Sequence, residues 1–103
     1  MHKSFEFIFE WDHVKATSNY KKHGITFERA STVFNDPKAV SVFDEKHGGD
    51  EERWVTIGLD GNTFFVVVSH TYRQENDRVA YVRIISARKA TKVEIKQYGE
   101  ESA

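Results

Sequence analysis

The sequence predicts an α+β fold, in which a mostly antiparallel sheet carries two N-terminal helices and a short C-terminal helix. Apolar residues at helical spacing follow capping residues in the first third of the chain. Runs of β-branched and aromatic residues, separated by turn signals, fill residues 39–87. We expect a single domain spanning residues 1–103, because 103 residues with 39% hydrophobic side chains are enough to bury one core.

The predicted elements follow the chain in the order β-α-α-β-β-β-β-α. Asp12 is the expected cap of a first helix that ends at about His23, with Gly24 at the usual stop position. Thr26 is the expected cap of a second helix, which Pro37 ends. The predicted strands are residues 5–10, 39–43, 53–59, 63–72 and 79–87, and Thr91 with Glu94 forms a capping box for the last helix.

A continuous apolar run from Phe64 to Val68 predicts a central strand that is buried on both of its faces. We expect the helices to pack on one face of the sheet, because the apolar residues of the second helix form a single stripe. The apolar periodicity predicts one core shared by the sheet and the first two helices, formed by Phe7, Phe27, Phe34, Val67 and Ile85.

Composition excludes several classes of protein. The chain has no Cys, which removes disulfides, thiolate catalysis and Cys-ligated metal centres. No run approaches the roughly 18 apolar residues of a membrane span, and the opening residues lack the apolar stretch of a signal peptide, so we expect a cytoplasmic protein without membrane contact. The five His are scattered without metal-ligand spacing, and we expect no metal site and no cofactor.

The formal net charge of −1 does not indicate nucleic-acid binding, but the charges are unevenly distributed. Residues 36–60 contain seven acidic and three basic residues, whereas residues 73–98 contain seven basic and three acidic residues. The basic C-terminal part could face phosphates. Solvated faces and surface ion pairs would explain the same asymmetry.

A polar stripe is predicted on the first helix. Lys15, Asn19, Lys22 and His23 lie at positions i, i+4, i+7 and i+8, which share one helix face. Three potential cations on one face suit an anionic ligand. The alternative is a solvated face whose C-terminal Lys residues are stabilised by the helix dipole.

Arg83 interrupts the apolar run YVRIISA at a position that faces the same way as Val79, Tyr81 and Ile85. A charge there is costly unless an anionic group meets it. If Arg83 belongs to a binding site, that group is a phosphate of the ligand. If Arg83 is structural, the group is Glu52 or another carboxylate. Arg88 and Lys89 follow at the end of the strand, where side chains reach the surface.

His70 and Tyr72 share one face of the preceding strand. Arg, His and Tyr together suit phosphodiester cleavage without a metal ion. Cations stabilise the charge of the transition state, while one group takes the proton of the attacking 2′-hydroxyl and another protonates the leaving oxygen.

Two long motifs make the chain similar to a known family. The string FEWDHVKATSNYKKHGITFERASTVFNDP, and then EERWVTIG, VVVSHTYR and RIISARKAT, resemble the BrnT family of type II toxins over residues 9–98. The resemblance implies a fold similar to the RelE and ParE toxins, and a ribonuclease activity that halts translation. It further implies neutralisation by a BrnA-like ribbon-helix-helix antitoxin, with which the toxin represses its own operon. The family's motif positions fall on Trp11, Asp12, Lys15, Asn19, Lys22, His23, Gly24, Glu52, Arg53, Arg83, Ser86, Ala87 and Arg88.

The leading hypothesis is therefore a metal-independent endoribonuclease. Arg83 and Arg88 would stabilise phosphate charge, and His70 or Tyr72 would move a proton. The expected RNA-binding residues are Lys15, Lys22, His23, Arg53 and Lys89. A gyrase-poisoning toxin of the same fold and a non-catalytic antitoxin-binding co-repressor are the alternatives. The distinguishing feature is whether the two Arg side chains converge with a proton-transfer group in one cleft. We expect the antitoxin to cover that cleft and to make the only contacts with operator DNA.

Overall fold

The computed structural model describes residues 5–46, 52–61 and 64–101. The strands of these residues are β1 (Glu6–Glu10), β2 (Val40–Phe43), β3 (Arg53–Leu59), β4 (Phe65–Thr71), β5 (Arg73–Gln74) and β6 (Val79–Lys89). The helices are α1 (His13–His23), α2 (Phe27–Thr32), which continues into a 3₁₀ turn (Val33–Asn35), and α3 (Lys92–Glu101). The predicted α+β class is confirmed, and β5 is a short strand that the sequence did not predict.

The strands form one sheet in the order β1-β6-β4-β3-β2, with β5 against β6. The pairs β2 with β3, β3 with β4, β4 with β6, and β5 with β6 are antiparallel, whereas β1 runs parallel to β6. The sheet is therefore mixed. The hairpin between β3 and β4 forms as predicted, although residue 63, where we placed the start of the second strand, lies outside the described residues, as does residue 62.

The predicted helix ends are confirmed by their hydrogen bonds. An Asp12 side-chain oxygen accepts from the backbone N–H groups of Val14 and Lys15 at 2.8 and 3.1 Å. Gly24 ends α1 with a φ of 71°, the left-handed conformation that Gly adopts without steric cost. The Thr26 hydroxyl caps α2 by accepting from the N–H of Arg29 at 3.1 Å.

The two faces of the sheet bury different clusters, because successive side chains of a strand point to opposite sides. Helices α1 and α2 pack on the side that we call the helix face. Its buried core comprises Ile25, Phe27, Ala30, Val33, Val66, Val68, Val82, Ile84 and Ala87. The opposite side, which we call the arginine face, carries Arg53, Val67, Arg83 and Arg88. One end of it packs under α3, where Ile57 and Val67 contact Tyr98.

This arrangement corrects three expectations. Val67 is buried, but it belongs to the cluster under α3 and does not share a core with Phe27. The helices accordingly lie on both faces of the sheet. Ile85 is only half-buried, because a bulge between β4 and β6 skips it: Ser69 pairs with Ser86 and His70 pairs with Ile84. Phe7 and Phe34 pack at the edge of the helix-face core, as predicted.

Asn19 connects α1 to the sheet and is not part of a solvent-facing stripe. Its side chain is 7% exposed. The amide nitrogen donates to the carbonyls of Ile25 and Ala87 at 3.1 and 2.9 Å, and the amide oxygen accepts from the N–H of Ala87 at 3.0 Å. The predicted polar stripe is therefore divided: Asn19 points inward, while Lys15 and Lys22 are exposed.

Replacing Asn19 by Ala is expected to lower the free energy of unfolding by about 3 kcal/mol, three hydrogen bonds at roughly 1 kcal/mol each. A loss of that size lowers the melting temperature of a domain of this length by about 12–24 °C. Calorimetry of the purified chain measures it. Ser18→Ala, one residue away and exposed, is the control and is expected to change stability by less than about 0.5 kcal/mol. Equal melting temperatures for both variants would contradict the linking role of Asn19.

Candidate active site

A row of functional side chains crosses four strands on the arginine face. Arg53 of β3 pairs with Thr71 of β4. The hydroxyl of Thr71 accepts from the backbone N–H of Arg83 on β6 at 3.3 Å, and Arg83 pairs with Glu10 of β1. Neighbouring strands lie about 4.8 Å apart, so the two Arg residues start about 10 Å from each other on the sheet.

All members of this row project from the same side of the sheet. Val82 and Ile84 are buried in the helix-face core, so Arg83 between them points the opposite way. Phe9 packs against the same core, which directs Glu10 to the arginine face. Glu10 is exposed, whereas Arg83 is half-buried. The fold therefore places Glu10 and Arg83 at paired positions of neighbouring strands, with both side chains on the same face of the sheet.

Two hydroxyl groups lie one step further along the same face. Ser69 of β4 pairs directly with Ser86 of β6, and both are half-buried. Ser and Thr side chains are short, and Arg53 and Arg83 carry the longer side chains of this part of the face. A phosphate group bound above the hydroxyls would lie between the strand positions of the two Arg residues.

Arg88 also lies on the arginine face, opposite Val67, but its charge already has a partner. Its two terminal nitrogens donate to the two carboxylate oxygens of Glu94 on α3, both at 2.8 Å. This pairing, together with the N–H of Thr91, lowers the pKa of Glu94 to about 2. The hydrogen bonds that Arg88 donates to Glu94 raise the pKa of the Arg88 guanidinium. Arg88 thus fixes α3 to β6, and the predicted capping box of Thr91 and Glu94 is confirmed.

His70 lies on the helix face, not beside Arg83. Its side chain is 2% exposed, and its ring packs edge-on against Phe34 with the centroids 4.8 Å apart. The ring nitrogens are held by the Thr71 carbonyl at 2.9 Å and by the Thr56 hydroxyl at 2.7 Å. Burial lowers the pKa of His70, because desolvation disfavours the charged imidazolium.

The expectation that His70 or Tyr72 shares a cleft with Arg83 is corrected by this geometry. Both side chains line a cavity on the helix face, so the sheet itself separates them from the two Arg side chains. They do share one face with each other, as predicted. Arg83 and Arg88 therefore do not converge with His70 or Tyr72 in one cleft, and strand pairing places Glu10 next to Arg83 instead.

The remaining predicted RNA-binding residues are not gathered at this row. Lys15 and Lys22 are exposed on α1, and His23 is half-buried at the end of that helix. Helix α1 packs against the helix face, so these residues lie in the layer behind the sheet. Lys89 pairs with Val66 at the end of β6 and is exposed. Of the five, only Arg53 stands on the arginine face.

Two residues of the candidate site, Glu10 and Ser69, were not predicted as site residues from the sequence. Glu10 belongs to the string FEWD. Because successive side chains of a strand point to opposite faces, Glu10 points away from the core that Phe7 and Phe9 face, and this alternation is visible in the sequence. Ser69 has no such signal, because its neighbour Ser86 is 17 positions away and only strand pairing brings them together. Among the described residues, no cluster of three or more His, Asp or Glu side chains could hold a metal ion. Within the same residues, the helices are too short or too polar to cross a bilayer.

An α+β sheet protein that gathers two guanidinium groups and a carboxylate on one sheet face has the groups needed to bind and act on a phosphate ester. The family model described as "Ribonuclease toxin, BrnT, of type II toxin-antitoxin system" matches residues 11–94. The chain therefore belongs to the BrnT ribonuclease toxin family of type II toxin-antitoxin systems.

A solved structure supports the same fold. The chain resembles the 1.1 Å crystal structure of the Brucella abortus ribonuclease toxin, BrnT, with a TM-score of 0.57 and 22% sequence identity. The likeness covers 84% of this chain and 97% of that chain. No curated protein matches the sequence. At this identity the structural likeness concerns the fold alone.

Proposed function

We propose that this protein is a toxin that cleaves RNA as a metal-independent endoribonuclease and thereby inhibits translation. The observation that carries the proposal is the row in which Arg53, Thr71, Arg83 and Glu10 cross the arginine face. Family membership supplies RNA as the substrate, and the row supplies groups for its cleavage. A RelE- and ParE-like mode of action on the sheet surface is part of this proposal.

In the proposed reaction, Arg83 and Arg53 hold the non-bridging oxygens of the scissile phosphate. The Glu10 carboxylate takes the proton of the 2′-hydroxyl, and the 2′ oxygen forms a bond to phosphorus while the bond from phosphorus to the 5′ oxygen breaks. Water protonates the departing 5′ oxygen. The products are a 2′,3′-cyclic phosphate and a 5′-hydroxyl end, and Arg83 acts by stabilising the charge that develops on the phosphorane.

The other predicted residues take supporting roles in this proposal. Arg88, paired with Glu94, positions the end of β6 and the helix α3 beside the site. Three of the others, Lys15, Lys22 and His23, lie on α1 behind the sheet, and Lys89 lies at the end of β6. At these positions they would contact RNA phosphates other than the scissile one. Such contacts strengthen binding and make it dependent on salt, without contributing to the chemical step.

We propose a BrnA-like ribbon-helix-helix antitoxin as the partner, because a toxin-antitoxin family implies a neutralising protein. Acidic or helical antitoxin segments laid over Arg53 and Arg83 would block the phosphate site electrostatically. Toxin and antitoxin would together repress their operon, with the antitoxin making the contacts to operator DNA. A structure of the complex that leaves the arginine face open would contradict this mode of neutralisation.

The experiment that tests the proposed activity is cleavage of a labelled single-stranded RNA by the purified chain, with and without a metal chelator. We expect cleavage at equal rates in both conditions and fragments that end in a 2′,3′-cyclic phosphate, because the proposed attacking group is the 2′-hydroxyl. Substituting 2′-deoxyribose at the cleaved position should abolish the reaction. Loss of activity in chelator, or growth arrest with intact RNA and trapped gyrase–DNA complexes, would contradict the proposal.

A further inference from the structure

The helix face contains an aromatic cavity of about 240 Å³ that the proposed reaction does not use. It is lined by Phe7, Phe34, Ser41, Trp54, His70 and Tyr72. Arg53 and Trp54 are consecutive residues of β3, and Thr71 and Tyr72 are consecutive at the end of β4. The cavity and the proposed phosphate site therefore lie at the same end of the sheet, on opposite faces.

A chain of hydrogen bonds fixes the polarity of the cavity wall. A carbonyl only accepts, so the contact of Thr71 oxygen with His70 Nδ1 at 2.9 Å places the imidazole proton on Nδ1. In the neutral imidazole, which burial favours, Nε2 is then an acceptor, and the Thr56 hydroxyl donates to it at 2.7 Å. Thr56 has no second proton, so the Ser41 hydroxyl must donate to Thr56, also at 2.7 Å. The Ser41 oxygen is left to accept a hydrogen bond at the cavity.

Trp54 supplies the complementary group. Its indole lines the cavity, and its Nε1–H is buried with no hydrogen-bond partner among the described residues. An indole N–H only donates. The cavity thus combines aromatic walls with one fixed acceptor, and one of its lining residues carries a buried, unpaired donor. Its volume is below the range of roughly 300–1,000 Å³ that is typical for drug-sized ligands.

We propose that this cavity binds one unpaired nucleobase of the RNA. A nucleobase is a flat ring with donors and acceptors at its edge, and proteins that read single-stranded RNA commonly stack such rings on aromatic side chains. An apolar side chain of a partner protein would fill the space but offer no donor to the Ser41 oxygen. The inference rests on the proposed RNA-cleaving function for its choice of ligand, while the binding it describes is measurable without cleavage.

The test is ligand-observed NMR of the purified chain with three small probes: adenosine, ribose and toluene. We expect saturation transfer to the adenine ring protons and none to ribose, which has neither a base nor a phosphate for the arginine face. Toluene should bind more weakly than adenosine, because it cannot donate a hydrogen bond to the Ser41 oxygen. Binding of toluene equal to or tighter than that of adenosine would mark an apolar pocket for a protein side chain and overturn the inference.

Variants locate the binding. Ser41→Ala removes the acceptor and should weaken adenosine binding by about 5- to 10-fold, the value of one neutral hydrogen bond. Tyr72→Leu removes a stacking surface and should weaken it by at least about 5-fold. Val42→Ala is the control, because Val42 is exposed on the same strand and points to the other face. Thermal melts confirm folding of each variant.

The two proposals can fail separately. A chain that binds adenosine through Ser41 but leaves RNA intact would support the cavity and contradict the ribonuclease activity. A chain that cleaves RNA, while Ser41→Ala and Tyr72→Leu retain the adenosine affinity of the parent, would overturn the cavity inference and leave the active site unaffected.

Discussion

Replacing Arg83 by Ala is expected to lower RNA cleavage by about 10²-fold or more while weakening RNA binding far less. The side chain stands on the arginine face between Thr71 and Glu10, where a scissile phosphate would lie. Charge on the phosphate oxygens increases in the transition state, so a guanidinium group fixed there stabilises the transition state more than the bound substrate. Single-turnover cleavage and a separate binding assay with 2′-deoxy-substituted RNA measure the two effects.

Arg78→Ala is the matched control for this variant. Arg78 is exposed in the turn before β6. The Arg78→Ala substitution removes one positive charge from the chain, as Arg83→Ala does, but leaves the proposed site unchanged. It should cleave RNA like the parent. Both variants need melting curves, because Arg83 lies within a strand and its loss could leave a carboxylate unpaired. If Arg83→Ala folds normally and still arrests growth fully, Arg83 has no catalytic role.

The second large effect is expected for Glu10→Gln, which should reduce cleavage by about 10²- to 10⁴-fold, the usual contribution of a general base. Gln keeps the size and polarity of Glu but does not take up a proton at neutral pH. RNA binding should stay equal or improve slightly, since a negative charge near the phosphate is removed. The rate of 2′,3′-cyclic phosphate formation, followed by the end groups of the fragments, is the measurement.

Glu6→Gln provides a close comparison. Glu6 lies on the same strand and the same face of β1, but it pairs with Val79 at the other end of the strand. Both variants lose one carboxylate, so a general effect of net charge would appear in both. Equal cleavage by Glu10→Gln and the parent would exclude Glu10 as the general base. The hydroxyls of Ser69 and Ser86 would then be the next candidates for the group that accepts the proton.

Local signals were enough to predict much of this fold. Asp12, Gly24 and Thr26 act as caps because their side-chain or backbone properties satisfy the free groups at a helix end within a few residues of sequence. The central position of β4 followed from the uninterrupted apolar run that ends at Val68, since only a strand covered on both faces tolerates such a run. The pairing of Arg88 with Glu94 was not predicted, although the capping box that contains Glu94 was.

The site could be predicted only in part. Arg83 was predicted as a site residue because a charge within an apolar strand needs a partner, and this pattern is visible in the sequence itself. His70 was misplaced, because chemistry suggested a catalytic His whereas its partners Thr56 and Phe34 lie 14 and 36 positions away. Nothing near His70 in the chain shows that those residues enclose it.

The sequence by itself determined the α+β class, the helix caps, the buried central strand and the family to which the chain belongs. Those properties depend on the type and spacing of residues within one element or one motif. Only the tertiary structure decided that Glu10 stands beside Arg83 while His70 lies behind the sheet. The reason is physical: side chains alternate between faces at every residue, and strand order and register are set by contacts between distant parts of the chain. A shift of β1 by one residue would have exchanged its Phe and Glu side chains between the two faces.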